Sequence, residues 1–263
     1  MKWPSSLTII RHGQSAYNAT KKTKEAVRGY REFVERFDAE YAAAINPWWA
    51  SITLRAMALE LAPMITLPFS DFDTPLTSEG WQQAEATGVA LRSSPMPHVV
   101  YVSPYLRTKQ TLIGLINTWP QLADVKTLED VRIREQEHGL SGLFNDWRVF
   151  FALYPDQGFF KKQEGDYGYR WPNGESELDV RRRAHDMLAT QVREHAGEDV
   201  LCISHHLTKL CIRAELERWN REKFIEADEN EKPVNCGVTV YLGAPNVGKQ
   251  GHLVLQTYNQ QFY

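Results

Sequence analysis

Three short apolar segments of the chain each run directly into side chains suited to phosphate chemistry. The first is followed by Arg11 and His12, the second by Arg107, and the third by His205. The segments have the composition of β-strands. Because ligands of an open α/β sheet bind outside the carboxyl ends of its strands, we expect these four side chains to meet at one edge of a sheet.

Two arginines and two histidines in one pocket favour phosphoryl transfer. A guanidinium fork matches the oxygens of a phosphoryl group, and a neutral imidazole beside it is a nucleophile. Positioning and charge neutralisation carry most of such catalysis, so cationic side chains can take the place of a metal ion. Glu135 is the candidate proton donor for the leaving oxygen, and Glu137, two residues later, is the alternative.

The pattern of strands and helices predicts a three-layer α/β/α sandwich with a mostly parallel central sheet. Strands are predicted at 7–10, 98–102, 200–203, 237–242 and 253–257, and helices at 78–93, 104–119, 176–195 and 207–219. Two helix starts are marked. One is Ser103 with Pro104 at the first helical position, and the other is Ser176 with Asp179 as a capping box.

One long segment, 19–72, interrupts this alternation and predicts a helical insertion. Apolar residues recur at helical spacing over 27–41, and 48–64 predicts a second apolar helix. The insertion either packs on the core as a hairpin or closes over a ligand as a lid. A second stretch, 139–174, is rich in aromatics and glycine and is expected to cover one end of the sheet. We therefore predict a single domain over 1–263, with a helical cap at about 19–72.

Composition limits the classes of partner. Among 263 residues, 30 Lys and Arg stand against 33 Asp and Glu, a formal net charge of −3, which argues against bulk binding of nucleic acid or anionic membranes. Three cysteines are too few for a disulfide framework and indicate a reducing compartment. The short apolar run at 7–10 is too short for a signal segment or a membrane span. We expect a cytoplasmic protein without a metal or cofactor, and we expect Arg181-Arg182-Arg183 to form a solvated, salt-bridged helix face.

Taken together, the motifs identify a family. Along most of its length outside 19–72, the sequence resembles the histidine phosphatase superfamily, in its phosphoglycerate mutase-like branch. The matching blocks are Arg11-His12-Gly13 with Ser15 and Asn18, Leu76 to Gly80 with Gln83-Ala84, Ser103-Pro104 with Arg107 and Thr111, Glu135 with Gly139, Gly174-Glu175-Ser176, and Ser204-His205. The resemblance implies the fold predicted above and a small phosphomonoester as the substrate.

The resemblance also implies roles for individual residues. His12 would become a phosphohistidine, Glu135 would protonate the leaving alkoxide, and the phosphoryl oxygens would be held by Arg11, Arg107 and His205. Asn18 would add a hydrogen bond to the phosphoryl group. Further candidates for contact with the substrate are Gln14, Ser15, His206 and Arg170.

Two departures from the family pattern affect these roles. His206 stands where the family often has glycine, and its ring either contacts the substrate or packs in the structure. The proline-rich insert typical of cofactor-dependent mutases has no counterpart in 139–174, which favours a phosphatase over a phosphoglycerate mutase. A third hypothesis is a weakly active scaffold that binds a phosphorylated partner. The oligomeric state is left open.

Overall fold

The computed structural model describes residues 2–263. Within these residues the strands are β1 (Ser6–Arg11), β2 (Val99–Val102), β3 (Lys126–Glu129), β4 (Asp199–Ser204), β5 (Val238–Ala244) and β6 (His252–Gln260). They form a six-stranded sheet in the order β3-β2-β4-β1-β5-β6. The first four strands of that order pair in parallel, β5 is antiparallel to β1, and β6 is antiparallel to β5. The predicted α/β fold with a mostly parallel sheet is confirmed.

The helices confirm the predicted alternation. They are α1 (Ala16–Lys24), α2 (Tyr30–Ala42), α3 (Ile52–Ile65), α4 (Ser78–Leu91), α5 (Leu106–Thr118), α6 (Trp147–Leu153), α7 (Pro155–Glu164), α8 (Glu177–Glu194), α9 (His206–Leu216) and α10 (Arg221–Asn230). The four helices predicted between strands correspond to α4, α5, α8 and α9. None of the helices in residues 2–263 has the length and hydropathy needed to span a membrane.

Both faces of the central strands are buried, which is why these strands appear in the sequence as continuous apolar runs. In β2, Val100 and Val102 belong to one apolar core together with Leu112 and Leu115 of α5. Tyr101 lies between them and points to the opposite face, where its hydroxyl group lies 2.7 Å from His195 Nε2, just after α8. Helices therefore flank the sheet on both sides.

The sequence prediction missed β3. This strand pairs in parallel with β2 at the end of the sheet. Three of its four side chains are exposed and only Leu128 is partly buried. An edge strand of this kind lacks the apolar pattern on which the prediction depended.

The chain divides into two compact units. The first comprises the N-terminal residues through Ala16, Phe72–Glu135 and Asp179–Tyr263, and it contains the entire sheet. The second comprises Tyr17–Asp71 and Gln136–Leu178. The prediction of one domain with a cap at about 19–72 stays a prediction.

The second unit is helical and has its own apolar core. Phe33 and Phe37 of α2, Leu54 of α3 and Phe151 of α6 are buried together in it. The second helix of the insertion was predicted to start at Trp48. It starts at Ile52 instead, because the Ser51 hydroxyl accepts a hydrogen bond from Leu54 N at 3.1 Å and caps the helix. The stretch 139–174, for which no helix was predicted, contains α6 and α7.

Two glycines allow the turn after β1 to lie directly against the start of α4. A Cβ atom at Gly13 would lie 2.4 Å from the carbonyl oxygen of Gly80, and a Cβ at Gly80 would lie 2.1 Å from that of Gln14. The α4 helix starts here because the Thr77 hydroxyl accepts from Gly80 N at 3.1 Å. His12 lies between β1 and this turn, and the close backbone packing holds it in a defined position.

Candidate active site

The parallel register brings the ends of three strands to the same edge of the sheet. Arg11 at the end of β1 pairs with Ser204 at the end of β4, and Val102 at the end of β2 pairs with Ile203 of β4. The next residues along the chain are His12, Ser103 and His205. The edge predicted from the sequence therefore exists within the first unit.

His12 is buried, and backbone groups fix its position. Its Nδ1 atom lies 2.7 Å from the carbonyl oxygen of Gly13. A carbonyl can only accept, so Nδ1 carries the proton and Nε2 keeps its lone pair. The carbonyl oxygen of His12 accepts from Asn235 Nδ2 at 3.0 Å and from Cys236 N at 3.3 Å.

The surroundings of His12 keep its imidazole neutral. Burial, and then the neighbouring charges of Arg107 and Arg11, hold the pKa of His12 well below its usual range. At neutral pH the ring is therefore unprotonated at Nε2. A buried neutral imidazole beside two guanidinium groups is an activated nucleophile for an anionic electrophile such as a phosphoryl group.

His205 lies beside His12 and is buried as well. The two ring centroids are 5.2 Å apart, and His205 Nε2 lies 2.7 Å from Ser103 Oγ. Burial and the charge of Arg107 hold the pKa of His205 well below its usual range. The backbone N–H of Tyr105 points to Ser103 Oγ at 3.5 Å, which is consistent with the serine donating its own proton to Nε2. In that arrangement Nδ1 of His205 carries a proton and is a donor.

The two arginines are held by different contacts. Arg11 donates from Nη1 to the carbonyl oxygen of Pro233 at 2.7 Å, and burial lowers the pKa of its guanidinium. The buried guanidinium of Arg107 lies 4.8 Å from the ring centroid of Tyr105. Within residues 2–263, Arg11 Nε and His205 Nδ1 are buried without a hydrogen-bond partner. Unpaired buried donors require an explanation, and a bound anion would supply acceptors for them.

Glu135 is held at the start of α9. Its Oε2 accepts from the backbone N–H of His206 at 3.1 Å. The backbone before it is fixed by the buried Arg183 of α8, which donates to the carbonyl oxygens of Arg132 and Arg134 at 2.7 Å and of Glu135 at 3.0 Å. The carboxylate also raises the pKa of Arg11 through its charge. Glu135 is therefore electrostatically coupled to the cationic group.

The comparisons with known proteins decide the family. The family model of the histidine phosphatase superfamily (branch 1) matches residues 69–246, which is more than half of the chain. The chain belongs to the histidine phosphatase superfamily. The matched range includes Arg107, Glu135 and His205, whereas Arg11 and His12 precede it.

Named relatives of this histidine phosphatase superfamily member include mutase-like proteins. A Yersinia enterocolitica protein named "Probable phosphoglycerate mutase GpmB" is 30% identical over 146 residues, which cover 55% of this chain and 64% of that protein. The Arabidopsis thaliana phosphoglycerate mutase-like protein AT74H is 29% identical over 196 residues, which cover 66% of each chain. In both alignments the chain spans less than two thirds of the relative's own length.

Solved structures with the same fold include phosphatases. A mycobacterial glucosyl-3-phosphoglycerate phosphatase in complex with VO3 has a TM-score of 0.63 at 18% identity, covering 98% of this chain and 100% of that one. An Entamoeba histolytica phosphoserine phosphatase in complex with 3-phosphoglyceric acid has a TM-score of 0.60 at 17% identity, covering 97% of each chain. At this identity the likeness shows that the superfamily fold is shared.

Two further residues predicted to contact the substrate, Gln14 and Ser15, follow β1 and make contacts within the protein. The side-chain amide of Gln14 accepts from Thr77 Oγ1 at 2.8 Å and donates to Glu79 Oε2 at 2.8 Å, so it joins the turn after β1 to α4. Ser15 is buried and forms an isolated backbone bridge with Leu76.

Two predicted residues belong to the second unit. Asn18 lies in the first turn of α1, and Arg170 is exposed in the loop before Trp171. Their contacts with a substrate stay predictions. Glu137, the alternative to Glu135, also belongs to this unit, where its backbone N–H donates to Glu175 Oε2 at 3.1 Å and its carbonyl oxygen accepts from Glu175 N at 2.8 Å.

His206 has both a backbone contact and a side-chain contact. Its N–H donates to Glu135, and its ring Nε2 lies 3.0 Å from Asp228 Oδ1 of α10. The sequence left open whether this ring packs or contacts the substrate. The ring packs beside Asp228, and its charge is also one of those that lower the pKa of His12.

Sequence reasoning missed several supporting residues. Ser103 was predicted to cap α5, but the helix begins at Leu106 with Tyr105 at its N-cap, and the Ser103 hydroxyl contacts His205 instead. Asn235, which holds the His12 carbonyl, has no motif that would have marked it. A signal for Tyr105 was present, because an aromatic residue two positions before Arg107 is placed to stack on it.

The arginine triplet 181–183 was predicted to form a solvated, salt-bridged face. Both Arg181 and Arg182 are salt-bridged, but only Arg182 is well exposed, at 69% against 18% for Arg181. Arg181 pairs with Glu215 and Arg182 with Asp179. For Arg183 the prediction is wrong, because its side chain is buried. The three residues share one helical stretch, but only the third faces the loop that carries Glu135.

We expect Arg183→Met to destabilise the protein by about 3 kcal/mol or more, because three partly buried carbonyl oxygens lose a charged donor. The matched control is Arg182→Met, which removes an arginine that is 69% exposed and should change stability by about 0.5 kcal/mol or less. Urea unfolding measures the free energy of unfolding of both variants. Equal effects from the two substitutions would contradict the structural role given to Arg183.

Proposed function

We propose that the chain is a metal-independent phosphomonoesterase that acts on a small phosphorylated metabolite through a phosphohistidine intermediate. The observation that carries the proposal is the state of His12. Its Nδ1–H is held by the Gly13 carbonyl, and burial beside Arg11 and Arg107 keeps the pKa low. Nε2 is therefore a nucleophile at neutral pH without any base to deprotonate it.

The surrounding donors support binding of a phosphoryl group next to His12. Arg11 Nε and His205 Nδ1 are buried donors without protein acceptors among residues 2–263, and two oxygens of a phosphoryl group would satisfy both. Arg107 adds a buried cation. As charge develops on the phosphoryl oxygens in the transition state, these groups stabilise it without having to reorganise.

The proposed reaction has two steps. In the first, which starts from the protonated form of Glu135, Nε2 of His12 forms a bond to phosphorus while the ester P–O bond breaks, and Glu135 donates its proton to the departing alkoxide. In the second, Glu135 accepts a proton from water, whose oxygen bonds to phosphorus as the P–N bond breaks. Inorganic phosphate leaves, and His12 and Glu135 return to their starting states.

The comparisons support hydrolysis through the names of the structural neighbours, which include phosphatases for glucosyl-3-phosphoglycerate and phosphoserine. The two substrates are named for those proteins and are not assigned to this chain. What they share with this proposal is the reaction class, hydrolysis of a phosphomonoester on the same fold.

We expect hydrolysis of p-nitrophenyl phosphate in the presence of EDTA, and a loss of at least about 10³-fold in kcat in His12→Ala, because the nucleophile is removed. The control is His185→Ala, whose side chain is 68% exposed and which should retain activity. Rapid acid-free quenching with radiolabelled substrate should trap a phosphohistidine in the wild type. Activity that persists in His12→Ala would rule out the mechanism. Phosphate binding without hydrolysis or a trapped intermediate would instead indicate a phospho-partner-binding scaffold.

Glu135 and Glu137 provide a matched pair for identifying the proton donor. We expect Glu135→Gln to lower kcat for glycerol 3-phosphate by about 10²-fold or more, because an alkoxide needs a proton to leave. The loss should be much smaller for p-nitrophenyl phosphate, whose leaving group is stable as an anion. Glu137→Gln should change neither rate. If the substrate-dependent loss appears in Glu137→Gln, the assignment of the acid is wrong.

A second candidate function is phosphoglycerate mutase-type transfer, which the names of the sequence relatives favour. A mutase must retain a bisphosphorylated intermediate while it reorients, whereas a phosphatase releases the alcohol. We expect ³¹P NMR of a reaction containing 3-phosphoglycerate and a catalytic amount of its bisphosphate to show inorganic phosphate as the only new phosphorus-containing product. Formation of the isomeric phosphoglycerate faster than release of phosphate would replace the phosphatase proposal with the mutase.

A further inference from the structure

His206 lies beside the group that we propose to protonate the leaving oxygen. It is the first residue of α9, and its backbone N–H donates to Glu135 Oε2 at 3.1 Å. A proton donor must lie within hydrogen-bond reach of the oxygen that it protonates. The backbone of His206 is therefore close to the place where the ester oxygen and the alcohol must lie.

The ring of His206 is oriented by a carboxylate. Nε2 lies 3.0 Å from Asp228 Oδ1, and the imidazole side chain is 25% exposed. Nε2 itself is buried and makes no hydrogen bond within residues 2–263, so Asp228 approaches it at ion-pair distance without hydrogen-bond geometry, and the exposed part of the side chain lies away from this atom. With Nε2 buried beside Asp228, Nδ1 is the ring nitrogen that is left to contact a ligand.

The element that carries Asp228 leads directly into the phosphate site. After α10 ends at Asn230, the chain passes through Pro233, whose carbonyl oxygen accepts from Arg11 Nη1 at 2.7 Å, and Asn235, which donates to the His12 carbonyl oxygen at 3.0 Å. The charge of His206 also contributes to the lowered pKa of His12. The His206–Asp228 pair therefore borders the cationic group.

We infer that His206, oriented by Asp228, is a specificity-determining residue that selects phosphomonoesters whose leaving alcohol carries hydroxyl groups near the ester. This inference rests on the proposed function, because it places the alcohol beside Glu135. In its neutral form Nδ1 accepts a hydrogen bond, and in its protonated form it donates one. A hydroxyl group can pair with either form, whereas an alkyl chain pairs with neither.

The test uses two substrates that differ in their hydroxyl groups, glycerol 3-phosphate and n-propyl phosphate. In the wild type, we expect kcat/KM to be higher for glycerol 3-phosphate. In His206→Ala, the ratio of the two kcat/KM values should fall about five- to tenfold, the worth of one hydrogen bond. His206→Gln keeps a hydrogen-bonding side chain and should restore part of the ratio. Each of these variants keeps the backbone N–H that holds Glu135.

Asp228→Asn should lower the ratio less than His206→Ala does, because the ring loses its anionic partner but stays present. The matched control on the same helix is Glu226→Gln, a side chain that is 62% exposed and pairs with Lys223; it should leave the ratio unchanged. If the ratio is the same in the wild type and His206→Ala, the inference is overturned, even when both rates fall together.

Failure of the proposed function can be distinguished from failure of this inference. If the wild type hydrolyses neither ester, the phosphatase proposal fails, and calorimetry then measures binding of the same two compounds. Tighter binding of glycerol 3-phosphate than of propyl phosphate in the wild type, with a smaller difference in His206→Ala, supports the specificity role. Equal affinities of the two compounds for the wild type overturn it.

Discussion

The constraint on which the site depends is the burial of several basic side chains beside one another, where loss of water and then mutual repulsion disfavour their charged forms. Burial and the charges of Arg11 and Arg107 lower the pKa values of His12 and His205, so both rings remain neutral beside two guanidinium groups. The same constraint reaches the fully buried Lys209, whose pKa burial and the charge of Arg11 hold well below its usual range. Both imidazoles thus keep a free lone pair beside the guanidinium groups, and the proposed nucleophilic attack by His12 depends on that lone pair.

The scaffold stabilises this unfavourable grouping with neutral acceptors. The carbonyl oxygen of Pro233 accepts from Arg11, that of Gly13 accepts from His12, and that of Gly237 accepts from the Lys209 amine at 2.7 Å. Backbone carbonyls satisfy donors without adding a full negative charge. A carboxylate at the same positions would compete with an anionic substrate, so the arrangement keeps the positive potential available to a phosphoryl group.

Much of the first unit could be predicted from the sequence because its strands are buried on both faces and appear as apolar runs. The residues that follow three of those runs were expected to meet at one edge of the sheet, which grouped His12, Arg107 and His205 from the sequence alone. The edge strand β3 was not predicted, because its exposed side chains have no apolar pattern. The burial of Arg183 was not predicted, because its neighbour Arg182 is exposed on the same helix. Sequence alone does not indicate which face of α8 meets the loop before Glu135. The shared core of the second unit joins segments far apart in the chain, and such pairings leave no local signal.

The way in which Glu135 is held has an evolutionary consequence. Its carboxylate accepts from the main chain at position 206, so the contact survives any side chain there that leaves the amide N–H in place. Proline alone lacks that N–H. Position 206 can therefore vary from glycine to a large ring without detaching the carboxylate, and the fold separates a side chain that is free to change from the carboxylate beside it. Under the proposed function, a change of substrate preference at this point of the chain does not require the catalytic groups to be rebuilt.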